Sequence, residues 1–352
     1  MKIIKLSVYL LIFIFSKNIF SQNVLEIEVN PKITIQAYNF SVNDKEVNNL
    51  VIKNLSKIKT LKHVPSYDYK KKYNISNYNV KNKKEIANII SDDIYKEVYN
   101  TKNFFSDKLS FVIKENNKYI LVVSDYEGQN MEKVLISKEP ILSPDIHKNL
   151  ITYVSFENYR PSIFLHNLKN NKRKKISNFK GINSSPKFNL KGDKIIFTLS
   201  RKGNLDIYEY NIKEKTIRQI TNTNYNELSP SYNDKGIVFS KESESYNPKV
   251  FELKEKQIKR LNNLGFVISN DYRSGTYAFL NKSKKYEIYI DNNKDPIYIS
   301  DSIEKISLSN NGKYIIFSEY LDDNRILKVI NKEGEIFYTL SIENKDLIEP
   351  SF

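Results

Sequence analysis

One hydrophobic and polar pattern repeats through the second half of the chain. Each copy has a polar start, commonly Ser-Pro, then an apolar or aromatic anchor, a tight polar turn and a β-rich run. Six anchors, spaced 36 to 44 residues apart, are Ile146, Phe188, Tyr232, Tyr272, Leu308 and Phe352. This period is typical of a four-stranded β-propeller blade.

Glycines keep the same phase as the anchors. Gly192, Gly236 and Gly312 each fall four residues after an anchor, and Gly275 falls three after its own. A turn that needs positive φ accepts glycine without steric cost. The pattern therefore predicts a turn and then a second strand in each blade, at 194–200, 237–240, 276–280 and 313–319.

The split of one repeat predicts how the ring closes. The chain ends one strand into a sixth blade, at Pro350–Phe352, and three further β-rich runs precede the first anchor, at 108–114, 119–126 and 133–137. Pairing of the two parts would leave no open sheet edge. An open β-solenoid, the alternative, would need no split repeat. The prediction is a mainly β fold, a six-bladed propeller over residues 107–352 whose ring is closed by the C-terminal strand.

Residues 22–106 do not share this period. Ile27 to Tyr38 has the composition of strands, whereas 45–58 and 84–99 place apolar residues at helical spacing. We expect a small α+β domain before the propeller.

The first 21 residues have the pattern of a secretory signal peptide. Lys2 and Lys5 precede the apolar run Leu6 to Phe15, and Ser21 precedes a predicted cut before Gln22. An uncleaved membrane anchor is the alternative, but the run is about half of the roughly 20 apolar residues that a bilayer needs. Secretion to the periplasm is therefore expected.

Charge and cysteine content limit the classes of function. The net charge is +15, but the densest basic run is only Lys169 to Lys175, and arginine is scarce beside lysine. Nucleic-acid binders concentrate their basic residues, so a general lysine bias explains this composition better. A membrane-surface protein held by its charge is a weaker reading, to be tested by salt-sensitive vesicle binding. Cysteine is absent, so no disulfide forms.

Local signatures of catalysis are missing from the sequence. The closest glycines are ten residues apart, which excludes phosphate loops and nucleophile elbows. The three histidines, His63, His147 and His166, have no metal-site spacing, and His166 is expected on a strand surface. We predict no catalytic residue, metal or cofactor. A propeller enzyme or a carbohydrate-binding propeller of the periplasm remains the alternative.

Three stretches resemble the TolB family. They read VSDYEGQN at 123–130, YVSFENYRPSI at 153–163 and TLSRKGNLDIY at 198–208, and the similarity runs in phase from about Asp107 to Phe352. The resemblance implies a periplasmic, non-enzymatic protein of the Tol-Pal envelope system. Such a protein supports outer-membrane integrity and constriction during cell division.

The resemblance also implies two protein partners, and the residues that would contact them can be assigned by position. The peptidoglycan-associated lipoprotein Pal would bind at one mouth of the propeller, on loops 181–184, 222–228 and 301–304. TolA would bind a flexible segment at the start of the mature chain. By position, the Pal-facing candidates are Asn183, Ser184, Glu227, Leu228 and Glu304. The TolA-facing candidates are Gln22, Asn23, Val24, Leu25, Glu26, Ile27 and Glu28.

The chain departs from the family pattern at two places. Ile182 stands where the family commonly has histidine. The region 22–106 is also shorter than the usual N-terminal domain, with a strand-rich portion missing.

Overall fold

A computed structural model describes residues 26–30, 33–65, 71–80, 82–100, 103–201, 203–233, 236–242, 247–262 and 266–352. The predicted leader, 1–21, lies outside the described residues. The chain divides into two compact units, one up to Asn79 and one from Val80 to Phe352.

The first unit is a small α/β assembly. Its strands and helix are β1 (Glu26–Asn30), β2 (Ile33–Tyr38), β3 (Phe40–Val42), α1 (Lys45–Leu55), β4 (Leu61–His63) and β5 (Lys71–Tyr73), with a short 3₁₀ turn at Ile75–Asn77. Strand β2 pairs antiparallel with β1 and parallel with β4, and β3 pairs parallel with β5. The Asp44 carboxylate caps α1 by accepting from the Val47 N–H, and Val47 and Val51 are fully buried.

The second unit begins with the helix α2 (Lys83–Tyr99). Asn82 caps its first turn, and Asn100 ends it in the left-handed conformation at φ 52°. Asp92 on this helix accepts from the N–H groups of Phe105 and Ser106, 3.0 and 2.8 Å away. These bonds fix the helix to the segment that enters the propeller.

Six four-stranded antiparallel sheets follow, which confirms the predicted propeller. The strands that begin blade 6 are β6 (Lys108–Glu115), β7 (Lys118–Asp125) and β8 (Glu132–Ser137). Blade 1 contains β9 (Ile141–His147), β10 (Leu150–Ser155), β11 (Ser162–Asn167) and β12 (Lys172–Ser177). Blade 2 contains β13 (Asn183–Phe188), β14 (Lys194–Leu199), β15 (Asp206–Asn211) and β16 (Thr216–Gln219). Blade 3 contains β17 (Glu227–Tyr232), β18 (Ile237–Lys241), β19 (Lys249–Lys254) and β20 (Gln257–Arg260). Blade 4 contains β21 (Phe266–Arg273), β22 (Thr276–Lys282), β23 (Tyr286–Ile290) and β24 (Tyr298–Ser300). Blade 5 contains β25 (Ile303–Leu308), β26 (Tyr314–Leu321), β27 (Asn324–Asn331) and β28 (Ile336–Leu340). The last strand is β29 (Asp346–Ser351).

The ring closes as the split repeat predicts. Strand β29 pairs antiparallel with β6, with Asp346 opposite Lys114 and Ser351 opposite Ser110. It thereby becomes the inner strand of blade 6, in the order β29-β6-β7-β8. The last strand of the chain and the first three strands of the propeller therefore share one sheet, and the ring has no unpaired inner edge.

The Ser-Pro starts of the repeats form bulges in the inner strands. The ladder of β13 with β14 shifts register between Ser184 and Lys187, and φ is +52° at Ser185. Proline fits there, because a bulged residue has no ladder hydrogen bond to lose. Equivalent shifts occur in the inner strands of all six blades. Each bulge turns the following side chain toward the channel axis.

Packing between blades supplies the core. The anchor Phe188 of blade 2 lies in one buried cluster with Val154 and Ile163 of blade 1. Leu308 of blade 5 lies in another, with Ala278 and Leu280 of blade 4. The last anchor lies in an aromatic cluster around Phe104, which contacts Phe105, Tyr126, Tyr314, Phe337 and Phe352 at centroid distances of 4.3 to 5.8 Å. This cluster packs where the ring closes, so it stabilises the closure.

Candidate functional site

The channel of the propeller has two distinguishable ends. Each blade has one inner strand, which begins after the connection from the preceding blade, and all six inner strands run in the same direction along the channel axis. They are β9, β13, β17, β21, β25 and β29. We call the end where they begin the proximal mouth, and the end where they finish the distal mouth. The predicted Pal-facing residues all lie at the proximal mouth.

Between the mouths, a polar cluster fills the channel. The residue just before each anchor points to the axis, and all six of these residues are buried. With Arg273 they form what we call the axial cluster: Asp145, Lys187, Ser231, Asp271, Ser307, Ser351 and Arg273. The Lys187 ammonium lies 3.1 Å from Asp145 Oδ1 and 3.2 Å from Asp271 Oδ2. Since two carboxylates face two cations, the cluster is formally neutral.

Hydrogen bonds join the axial cluster to the blades. Ser231 Oγ and Ser307 Oγ donate to Asp271, at 2.7 and 3.0 Å, and the Leu308 N–H donates to the same carboxylate at 3.0 Å. Burial would raise the pKa of Asp271, but Lys187, Arg273 and the Leu308 N–H outweigh it and hold that pKa well below the usual range. The cluster therefore closes the channel with charged side chains that are paired with one another and hydrogen-bonded to the blades. Sequence reasoning missed it, although the shared position before each anchor was a signal that could have found it.

Asn183 begins β13 and is fully buried at the proximal mouth. Its amide Nδ2 donates to the carbonyls of Phe179 and Gly181, at 2.8 and 3.3 Å, and its Oδ1 accepts from Ser177 Oγ at 2.6 Å. All of these partners lie in the loop that leads into blade 2 or at its start. The side chain thus holds the loop, and it is not presented to a partner.

Glu227 begins β17 and is also fully buried. Thr223 Oγ1 donates to its Oε1 at 2.5 Å, whereas its buried Oε2 has no hydrogen bond from any described residue. Burial raises the pKa of Glu227, and the hydroxyls of Thr221 and Thr223 offset this only in part. This carboxylate braces the loop before blade 3, but a partner cannot reach it directly.

Ser184, Leu228 and Glu304 are the accessible members of the predicted set. Ser184 and Leu228 are half-buried, and Glu304 is exposed. Glu304 Oε1 lies 2.8 Å from the Arg325 guanidinium on β27 of the same blade. Burial and the nearby Glu349 raise the pKa of Glu304, whereas Arg325 lowers it.

Apolar side chains surround these residues at the proximal mouth. Ile182 is 45% exposed and adjoins Asn183, and Tyr159 on the β10–β11 loop is 90% exposed. Tyr320 and Leu321, at the end of β26, are each 49% exposed. These side chains come from blades 1, 2 and 5, and large apolar side chains exposed on one face favour a protein-binding surface.

The other sequence predictions have separate outcomes. Gln22 to Leu25 of the TolA-facing segment lie outside the described residues, and Glu26 to Glu28 belong to β1. The strand-surface expectation for His166 is wrong, because the side chain is buried and its Nε2 lies 2.7 Å from Asn171 Oδ1. In the described residues, no group of three His, Asp or Glu side chains could hold a metal ion. No described helix is long and apolar enough to cross a membrane.

Comparison with known proteins identifies relatives of the propeller. A family model described as the TolB beta propeller domain matches residues 95–352. The Tol-Pal system protein TolB of Ruthia magnifica subsp. Calyptogena magnifica is 35% identical over 161 residues, which are 44% of this chain and 37% of that protein. TolB of Alcanivorax borkumensis is 38% identical over 126 residues, 34% of this chain and 29% of that protein. The matched stretch thus spans about a third of the length of these relatives.

Solved structures support the same fold. The crystal structure of TolB from Acinetobacter baumannii aligns with a TM-score of 0.72 at 21% identity, covering 93% of this chain and 98% of that chain. A putative TolB from Agrobacterium tumefaciens aligns with a TM-score of 0.52 at 14% identity, covering 66% of this chain and 89% of that chain. With a family model that matches well over half of its length, this chain belongs to the TolB β-propeller family.

Proposed function

We propose that this protein is a non-enzymatic, periplasmic binding module of the Tol-Pal system, and that it binds Pal at the proximal mouth. The observation that carries the proposal is the surface of that mouth. Ile182, Tyr159, Tyr320 and Leu321 are exposed there, around inner strands that the axial cluster holds together. A rigid scaffold with exposed apolar loops suits a protein partner better than a reaction.

The contact residues follow from their accessibility. Ser184, Leu228 and Glu304 would touch Pal directly, together with Ile182. Asn183 and Glu227 would act by holding the loops in shape, since both are buried. Truncation of an apolar residue within such an interface typically costs about 1 to 2 kcal/mol, or a roughly tenfold weaker affinity.

The proposal is tested by calorimetry with the soluble domain of Pal from the same organism. Ile182→Asp should weaken binding at least about tenfold, because it places a charge in the contact surface. The matched control is Leu190→Asp, an equally exposed apolar residue at the distal mouth, which should leave Pal affinity unchanged. No binding by the unmodified protein, or equal losses in the two variants, would refute a proximal Pal site.

TolA is proposed to engage the segment Gln22 to Glu28 at the start of the mature chain. Deleting these residues should abolish TolA binding in the same assay. If the segment also couples the two partners, the deletion will change Pal affinity as well. An unchanged Pal affinity would refute the coupling, and retained TolA binding would refute the segment's role.

A further inference from the structure

The distal mouth contains a cavity that the Pal-binding proposal does not use. Its volume is about 430 Å³, within the range of small-ligand sites. The cavity is closed at its inner end by Arg273 of the axial cluster, and the ends of β9 and β13 form part of its wall. We call it the distal cup. Since the axial cluster fills the channel, the cup is a dead end and not a passage.

Charged groups of both signs line the distal cup. Glu85 on α2 and Asp107 before β6 lie on one wall, where they also line a smaller adjoining cavity, and Lys108 follows them. Lys148, in the turn after β9, also lines the cup. Within the described part of the chain, Glu85, Lys108 and Lys148 form no ion pair, so their charges are available to a ligand.

Arg273 and His147 both bring nitrogens to the cup, and one of these, His147 Nε2, is buried without a hydrogen-bond partner in the described part of the chain. Arg273 is only 5% exposed; its NH2 group donates to Asp145 Oδ1 at 3.2 Å and its NH1 group to the Tyr272 carbonyl at 3.4 Å. His147 Nε2 is buried and has no hydrogen-bond partner among the described residues. Buried polar groups without partners are rare in folded proteins and commonly mark a site for a ligand or water.

Apolar surface completes the cup. Phe188 and Ile146 are buried in its floor, and Leu190 at its rim is 52% exposed. His147 packs against Phe188 with ring centroids 6.0 Å apart. An apolar side chain of a ligand would therefore find a matching surface beside the charged groups of the cup.

We propose that the distal cup binds a short zwitterionic peptide. With Lys187, Asp145 and Asp271 of the axial cluster behind the floor, four cations and four carboxylates balance at the cup, so a ligand with a net charge gains no overall attraction. A dipeptide carries both signs at once. Its ammonium group fits against Glu85, its carboxylate fits against Lys148 and Arg273, and its apolar side chain packs on Leu190.

The histidine content gives a direct assay. The chain has three histidines, and only His147 lies at the cup. Imidazole ¹H–¹³C resonances of the full protein can be followed while the dipeptide Ala-Leu is added, and His147→Gln assigns the resonance. Ala-Leu should shift the His147 signal in a saturable way and leave His63 and His166 unmoved. Acetylated Ala-Leu and Ala-Leu amide, which each lack one charge, should bind at least about fivefold more weakly.

Variants place the ligand within the cup. Lys148→Glu should weaken Ala-Leu binding about fivefold, whereas Lys191→Glu, an equal charge change on an exposed residue outside the lining, should change it less than about twofold. The proposal is overturned if the His147 resonance does not shift at about 10 mM dipeptide, a concentration that would reveal even very weak binding. It is also overturned if the blocked peptides bind as well as Ala-Leu. Equal effects of the two lysine variants would also overturn it. The ligand series on the unmodified protein decides the matter even where a variant fails to fold.

Discussion

Lys187→Met is the substitution that tests the axial cluster most sharply. Lys187 is 8% exposed on its side chain and lies 3.1 to 3.2 Å from two carboxylates. At an effective dielectric of about 20, each contact is worth about 5 kcal/mol, which the desolvation of the ammonium group largely offsets. Methionine keeps the length and removes the charge, leaving two carboxylates against Arg273 alone. Breaking a buried ion pair in this way typically costs about 3 to 5 kcal/mol.

The free energy of unfolding can be measured by urea titration. Far-UV circular dichroism and tyrosine fluorescence serve as probes, because the chain has no tryptophan. Lys285→Met is the matched control: its partner Asp301 and its own side chain are largely exposed, so the expected loss is at most about 1 kcal/mol. The double variant Lys187→Met with Asp271→Asn restores neutrality, and its loss should be smaller than the sum of the single losses by about 1 kcal/mol or more.

The pH dependence separates charge from packing. In the unmodified protein, the pKa of Asp271 is lowered, so its contribution to stability is present above the unfolded pKa and is lost as pH falls through the folded one. In Lys187→Met, an unpaired carboxylate will have a raised pKa and take up a proton, so the loss should shrink between pH 7 and pH 5. A loss no greater than that of Lys285→Met, or one independent of pH, would refute the reasoning.

Three further substitutions test other parts of the structure. Glu227→Gln should raise the free energy of unfolding by about 1 kcal/mol at pH 7 and leave it unchanged near pH 4. Burial raises the pKa of this carboxyl, so its ionisation opposes folding only above the pKa of the unfolded chain. Urea titrations at the two pH values check this. Phe104→Ala should cost about 3 to 5 kcal/mol in the same assay, since the ring is fully buried where the propeller closes. Gly192→Ala should displace His147, whose Cδ2 would lie 2.1 Å from the added Cβ, and so move its imidazole resonance. Gly203→Ala also places a side chain at a positive φ, but no neighbour lies within 4 Å, so it should leave that resonance unmoved.

The repeat predicted the architecture because it rests on local pattern. Anchors such as Phe188 and Phe352 recur with the period of a blade. A repeat split between the two ends of the propeller is completed when the last strand pairs with the first three. The placement of Gly192 in the first turn of blade 2 is likewise a local property, since it has φ +71°.

The axial cluster and the true accessibility of the mouth residues depend on long-range contacts. Lys187 and Asp271 are 84 residues apart, and their residue types differ from repeat to repeat, so periodicity alone does not pair them. Asn183 and Glu227 follow polar loop sequences, yet both side chains are buried, and each is hydrogen-bonded to the loop that precedes it. His166 is covered by the neighbouring strand and by Asn171, which alternation along one strand cannot reveal.

The most direct test of the proposed function maps the Pal contact on the protein itself. Amide hydrogen exchange of the protein, alone and with the soluble domain of Pal, reports which loops become protected. We expect protection in the loops around 181–184, 222–228 and 301–304, with the distal turns 147–149 and 189–193 unchanged. Protection confined to the distal turns, or none at saturating Pal, would contradict a Pal site at the proximal mouth.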